Sequence, residues 1–135
     1  MYLVDTNVLS ELPRRHPDPG VVSWLAGLDR LAVSAVTIDE LSYGVERAPA
    51  ERSDRLRAWF DELLATDPLV IPIDRDVARA AGVLRAQRER RGHSASQADM
   101  LIAATALMTG RVLATRNTKD FAGCAVALLN PFSET

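Results

Sequence analysis

Cysteine, lysine and aromatic residues are scarce in this sequence of 135 residues. Its one cysteine, Cys124, has no partner for an internal disulfide, and no Cys or His lies near it at zinc-ligand spacing, which argues against a structural zinc site. Residues Tyr2 to Val4 predict a strand. They lack the basic region followed by an apolar stretch that is typical of a secretory leader sequence. No apolar run approaches the roughly 20 residues that cross a bilayer, so we expect a cytoplasmic protein without a membrane partner.

Neither sign of charge dominates the chain. Sixteen basic residues stand against 18 acidic ones, which gives a formal net charge of −2. The net charge of the whole molecule therefore neither indicates nor excludes a nucleic-acid partner. Any basic surface must be a local patch. All the basic residues except Lys119 are arginines, which suits phosphate recognition, although the base composition of the genome is the simpler explanation.

Short apolar runs alternate with helical patterns along the chain, and this alternation predicts an α/β fold with a parallel sheet. A chain of this length suits one compact domain over residues 1–135, burying roughly two-thirds of its unfolded surface. The predicted strands are residues 2–4, 31–34, 69–73 and 111–114, with 125–129 as an edge strand. Apolar spacing predicts helices over 53–65, 74–91 and 98–108, and the last of these is apolar nearly all round, as in a buried helix.

Four acidic residues lie where an apolar run meets a capping or turn residue: Asp5, Glu40, Asp99 and Asp120. Side chains beyond the carboxyl ends of parallel strands converge at one edge of the sheet, so these acids are expected to lie together. Two carboxylates about 4 Å apart repel by roughly 4 kcal/mol at an effective dielectric constant near 20, unless they bind protons or a cation. Ligands that are all oxygen favour Mg²⁺, or Mn²⁺ as a substitute, and such a site suits hydrolysis of phosphate esters.

Each acid also has a purely structural interpretation. Thr37 with Glu40, and Ser96 with Asp99, match the capping-box pattern of a helix start, where the helix dipole is expected to lower the pKa of Asp99. Asp5 can cap a short helix that begins near Val8, and Asp120 can be a solvated turn residue. These separate interpretations do not explain why all four acids follow predicted strands.

Four motifs in order carry a family resemblance: Tyr-Leu-Val-Asp5-Thr-Asn-Val-Leu, Glu40-Leu-Ser-Tyr-Gly, Ala98-Asp99-Met-Leu-Ile-Ala-Ala and Thr115-Arg-Asn-Thr-Lys-Asp120-Phe. Together they resemble the PIN domain family, and more narrowly the VapC-type toxins of bacterial toxin–antitoxin pairs. The resemblance implies a three-layer α/β/α fold with a mostly parallel central sheet of four to five strands. It further implies Mg²⁺-dependent endoribonuclease activity, a homodimer, and a cognate antitoxin that plugs the site.

The resemblance assigns Asp5, Glu40 and Asp99 to an acidic triad, with Asp120 as a fourth, more variable acid. Asp5 and Asp99 are the expected metal ligands. Glu40 either binds a second ion or orients the attacking water, and Asp120 is expected to act through a bound water rather than directly. Four polar residues are expected to steer the carboxylates by hydrogen bonds: Thr6, Asn7, Thr115 and Asn117. The implied reaction is attack of a metal-activated water on an RNA phosphodiester, giving a 5′-phosphate and a 3′-hydroxyl.

Two sets of basic residues are candidates for RNA contact, and the sequence leaves them open. One is a stripe on the 74–91 helix, Arg75, Arg79, Arg85 and Arg90, with Arg88, Arg91 and His93 near its end, which equally suits a solvated face. The other is the loop residues Arg14, Arg15 and His16. Trp59 and Phe60 lie on an apolar helical face, so we expect them in the core or a dimer interface.

Competing functions come from other classes. The main alternative is a non-catalytic PIN-fold interaction module in which the acids are only caps. A phosphatase with Asp5 as covalent nucleophile usually has a second acid two residues on, where this chain has Asn7. A dinucleotide-binding role lacks the glycine-rich turn after the first strand.

Overall fold

The computed structural model describes residues 1–133. It contains five strands: β1 (Tyr2–Val4), β2 (Ala32–Ser34), β3 (Leu69–Ile71), β4 (Val112–Ala114) and β5 (Leu128–Leu129). Six α-helices accompany them: α1 (Thr6–Leu9), α2 (Pro19–Ala26), α3 (Ala35–Arg47), α4 (Ala50–Ala65), α5 (Arg75–Arg90) and α6 (Gln97–Met108). A 3₁₀ turn spans Thr118–Phe121.

Every strand pairing is parallel, as the alternation of strands and helices predicts. β4 pairs with β1 on one side and β5 on the other, β2 pairs with β3, and β2 also contacts β1. Four of the expected strands are longer than the observed ones. β3 stops at Ile71 because the next residue, Pro72, has no N–H for the ladder. β2 starts at Ala32, β4 starts at Val112, and β5 is confined to Leu128–Leu129.

Helices cover both faces of the strands, which confirms the three-layer arrangement. Leu3 and Ala32 face a core shared with α5 and α6. The next residue of each strand, Val4 and Val33, faces a second core, built with residues from α1, α2, α3 and α4. Because side chains alternate across a strand, two apolar neighbours in sequence serve two separate cores.

Helix bounds differ from the sequence prediction mainly at the start of α4. It begins at Ala50, not Ser53, with Pro49 at the N-cap, a position where the missing N–H of proline costs nothing. α6 agrees with the predicted buried helix, since Met100 and the stretch Ile102–Ala106 are buried. No helix among residues 1–133 is both long and apolar enough to cross a membrane.

Candidate active site

Asp5 directly follows β1, and its backbone N–H donates to the carbonyl of Ala114 at the end of β4. Its side chain caps α1, with Oδ1 accepting from the Thr6 N–H at 2.8 Å. Oδ2 accepts from the Thr115 hydroxyl at 2.8 Å and from Nδ2 of Asn7 at 3.3 Å. Three donors therefore hold a carboxylate that is only 5% exposed.

The environment of Asp5 disfavours its charge despite these hydrogen bonds. Burial raises the pKa of its carboxyl from 3.8 to about 6, with the Thr115 and Thr6 hydrogen bonds acting in the opposite direction. The negative charges of Asp99 and Glu40 add to the increase. A buried acid beside two further acids is the electrostatic setting in which a bound cation stabilises the ionised form.

Glu40 lies in the second turn of α3, and the capping-box interpretation of Thr37 with Glu40 is wrong. The N-cap is Ser34, whose side chain accepts from the Val36 N–H, so the helix begins earlier than the pattern indicated. Glu40 is instead held by the Thr6 hydroxyl, which donates to its Oε1 at 2.6 Å. The Thr6 hydroxyl also lies 3.1 Å from Oγ1 of Thr37, which is fully buried.

Asp99 lies in the first turn of α6, where half of the predicted capping box is present. The Ser96 side chain caps the helix by accepting from the Asp99 N–H at 3.0 Å. The expectation of a lowered pKa is wrong, because burial raises the pKa of Asp99 more than the Ser96 side chain lowers it. The charge of Asp120 raises the pKa further and that of Arg88 lowers it, so burial is the main cause of the raised pKa.

Asp120 is exposed in the 3₁₀ turn, which begins three residues after Thr115. Thr115 follows β4, and its hydroxyl accepts from the Asn117 N–H at 3.1 Å and from Nδ2 of Asn7 at 3.2 Å. Asn117 thus contributes its backbone, since within residues 1–133 its side-chain amide has no hydrogen bond to a carboxylate. Thr115 is the central connection between the turn that carries Asp120 and the buried carboxylate of Asp5.

The donor set fits a hard divalent cation in chemistry and charge. The side chains of Asn7 and Thr115, which contact Asp5, carry amide and hydroxyl oxygens, and the negative charges of Asp99 and Glu40 act on the Asp5 carboxylate. No group of three or more His, Cys, Asp or Glu side chains among residues 1–133 is close enough to form a preformed ligand set. Mg²⁺ is commonly held by one or two carboxylates and several waters, which matches Asp5 with Asp99 better than a closed cage.

Arg88 is a site neighbour that sequence reasoning assigned to the wrong surface. It is 6% exposed, and its guanidinium donates to the carbonyls of Ala122 and Ser94, which flank the two segments carrying Asp120 and Asp99. It is therefore not part of a surface stripe. Its position in the sequence could have predicted burial, because Arg88 follows the buried residues Val77, Ala81 and Leu84 at helical intervals.

A comparison with protein families decides the classification. The PIN domain model matches residues 2–125 of this chain. The chain belongs to the PIN domain family. The match spans the segments that supply Asp5, Glu40, Asp99 and Asp120, so all four candidate acids lie within the PIN domain.

Individual PIN proteins resemble the chain over almost its full length. A VapC ribonuclease, Y4jK, of Sinorhizobium fredii (strain NBRC 101917 / NGR234) is 35% identical over 137 residues, covering 98% of both proteins. The crystal structure of FitAcB from Neisseria gonorrhoeae contains a chain with a TM-score of 0.85 and 33% identity, with 97% and 98% of the two chains covered. A toxin-antitoxin complex from Klebsiella pneumoniae gives a TM-score of 0.73 at 28% identity, with coverage of 99% and 100%.

Proposed function

We propose that this PIN domain is a metal-dependent endoribonuclease that acts as the toxin of a toxin–antitoxin pair. The observation that carries the proposal is the buried carboxylate of Asp5, whose pKa is raised to about 6 beside Asp99 and Glu40. The likeness to a VapC ribonuclease and to a chain of a toxin-antitoxin complex supports the choice of RNA as substrate and of toxin as biological role. We expect the protein to act in the cytoplasm.

Asp5 and Asp99 would hold Mg²⁺, with Mn²⁺ as a substitute. The bound ion supplies charge that neutralises the phosphodiester and lowers the pKa of a water. Asp5 suits the role because Thr6, Asn7 and Thr115 fix both of its oxygens, so little orientational freedom is lost on binding. Asp99 suits it because α6 is a buried, rigid helix.

Glu40 and Asp120 would act around the reacting phosphate. Only Oε1 of Glu40 accepts from Thr6, which leaves Oε2 to accept a hydrogen bond from the attacking water and to orient it. Asp120 is exposed at the edge of the candidate site, so it would contact the ion or the phosphate through a bound water. The water would attack the phosphorus opposite the leaving 3′-oxygen. The P–O3′ bond would break, which leaves a 5′-phosphate and a 3′-hydroxyl.

Partner proteins are part of the proposal. A cognate antitoxin would cover the acids and silence the toxin, and the similar chain from Klebsiella pneumoniae, which belongs to a toxin-antitoxin complex, supports such a partner. We also propose a homodimer, on the family resemblance. The alternative, a non-catalytic interaction module, predicts that neither RNA cleavage nor thermal stability responds to Mg²⁺.

Cleavage of a labelled RNA by the purified protein tests this function. We expect cleavage that needs Mg²⁺, is lost with EDTA, and falls at least about a hundredfold in Asp5→Asn and Asp99→Asn, since loss of a well-placed charged group costs several kcal/mol of transition-state stabilisation. Asp39→Asn is the matched control, because Asp39 is an exposed acid next to Glu40 on α3. Cleavage at wild-type rate by Asp5→Asn would refute the proposal.

A further inference from the structure

A groove with a volume of about 280 Å³ opens beside Glu40. Thr6 and Glu40, which are joined by the 2.6 Å hydrogen bond, line one end of it. From there the groove runs between α3 and α4, and the loop that follows α1 closes its other side. It therefore reaches the candidate active site at Thr6 and Glu40.

The groove combines an apolar floor with a basic rim. Trp59 is partly buried and contributes an aromatic surface beside the aliphatic side chains of Leu41, Val45 and Leu56. Arg14, Arg52 and Arg55 are all exposed and lie along the lining. Against these three cations, the lining contains one acid, Glu40.

Two of the three arginines are held in place by neighbours. Arg14 pairs at 3.2 Å with Glu11, a carboxylate that is itself buried and accepts from the Asp18 N–H at 2.8 Å. Arg55 donates to the carbonyl of Pro13, which ties α4 to the loop after α1. Arg52 forms no ion pair or side-chain hydrogen bond within the described part of the chain. The rim thus offers two oriented guanidinium groups and one that is free to meet a ligand.

We infer that this groove is the binding site for the single-stranded RNA next to the scissile phosphate. The inference rests on the proposed ribonuclease function and names the part of the protein that grips its substrate. Arg14, Arg52 and Arg55 contact successive phosphates, and Trp59 stacks against an unpaired base. A positive groove with an aromatic platform is the usual means of binding single strands without a fixed sequence, because every base offers a π-face.

The second set of arginines, on α5, lacks these features. Arg75 lies 3.4 Å from Asp76 and Arg85 lies 3.6 Å from Glu89, so two arginines of this set are paired with acids on the same helix. The cavity beside this face is smaller, about 140 Å³, and no aromatic side chain lines it. The smaller cavity, which lacks an aromatic platform, therefore favours the groove at the Arg14 loop over the α5 stripe as the RNA contact.

Binding of a fluorescein-labelled single-stranded RNA, followed by anisotropy in EDTA, tests the inference without cleavage. Arg52→Ala should raise the Kd about threefold or more and reduce the slope of log K against log salt concentration by about 0.7, the loss of one phosphate contact on a single strand. Trp59→Leu should raise the Kd about fivefold or more, and Trp59→Phe, which keeps a stacking ring, should stay near the wild type. Arg79→Ala, an exposed arginine on α5, is the matched control and should bind as the wild type does.

The result that overturns the inference is wild-type RNA affinity and salt slope in both Arg52→Ala and Arg55→Ala. If those variants keep RNA affinity but lose binding to a co-purified protein partner, the groove holds protein, and the inference is equally wrong. Failure of the nuclease function gives a different result, since it appears as RNA cleavage that Asp5→Asn does not slow. In Mg²⁺, the groove variants should raise KM and leave kcat close to that of the wild type.

Discussion

At the scale of single residues, Asp5 is a buried acid whose surroundings disfavour the ionised form of its carboxyl group. Its carboxylate accepts from Thr6, Asn7 and Thr115, yet desolvation still raises its pKa to about 6. A shift of that size corresponds to about 3 kcal/mol of free energy of unfolding lost when the buried group ionises. The metal-free protein is therefore less stable at neutral pH than the same fold with a neutral group at this position.

The pH dependence of stability follows from this shift. Between pH 3.8 and about 6, the folded state keeps a proton on Asp5 that the unfolded chain has released, so stability falls as pH rises through this window. The raised pKa of Asp99 acts in the same direction. In EDTA, the free energy of unfolding from urea titrations should fall over this range, and Asp5→Asn should make the decrease shallower. Equal slopes in the two proteins contradict the assignment.

Thr115 offers a second test at this scale. Thr115→Val removes the hydroxyl that donates to Oδ2 of Asp5 and keeps the shape of the side chain. Hydrogen bonds to charged groups contribute about 1.5–3 kcal/mol, so Mg²⁺ affinity should fall about tenfold to a hundredfold, measured by calorimetry. Thr115→Ser keeps the hydroxyl and should stay within about threefold of the wild type. A Val variant with unchanged affinity would show that the hydrogen bond does not orient the ligand.

At the scale of helices and strands, the sequence predicted most of what brings the acids together. Asp5 and Thr115 follow β1 and β4, which are adjacent and parallel, and the start of α6 carries Asp99 as expected. Local patterns misled at Glu40, because Thr37 with Glu40 looks like a cap while Ser34 is the residue that starts α3. The choice between two possible caps depends on where β2 ends, which is set by tertiary pairing with β3.

The positions of the arginines also could not be predicted from local sequence patterns alone. Composition and helical spacing identify α5 as amphipathic, but whether an arginine lies in solvent or under a loop depends on how the chain folds back. Arg88 is covered because the segments around Ser94 and Ala122 pack over the end of α5. Helical periodicity places Arg88 on the apolar face of α5. Because the residue is charged, the sequence pattern is interpreted as an exposed position instead.

Arg88 should contribute to stability as the connection between these two segments. Arg88→Met keeps the aliphatic stem and removes the donors to Ser94 and Ala122, so both carbonyls lose their guanidinium partner. We expect a loss of about 1–3 kcal/mol in urea unfolding. Arg91→Met is the matched control, because Arg91 donates to the Gly123 carbonyl from an exposed position and should cost less. Equal costs for the two variants would contradict the role of burial.

At the scale of the whole molecule, the two cores on either side of the strands hold the acid-bearing segments from opposite faces. Residues of α3 pack in one core and those of α6 in the other, so Glu40 and Asp99 approach Asp5 from different layers. This arrangement places Glu40 and Asp99 near enough for their negative charges to raise the pKa of Asp5. Family membership was predictable from motif order, whereas the groove beside Glu40 requires the packing of α3 against α4.

Growth of cells that express the protein tests the toxin role at this scale. Expression alone should arrest growth, Asp5→Ala should relieve the arrest, and co-expression of the proposed antitoxin should also relieve it. The matched control is Asp39→Asn, which should arrest growth as the wild type does. Arrest by the Asp5→Ala variant would show that toxicity does not depend on the acids.

Direct titration of the purified protein with Mg²⁺ or Mn²⁺ by calorimetry at pH 7.5 tests the central claim, that Asp5 and Asp99 hold one divalent cation. We expect Mg²⁺ to bind the wild type, and to bind at least about tenfold more weakly to Asp5→Asn and to Asp99→Asn. The metal-induced rise in melting temperature should be lost in the same two variants. Asp39→Asn should bind as the wild type does. Binding of equal strength in all four proteins, or none in the wild type, would contradict the account.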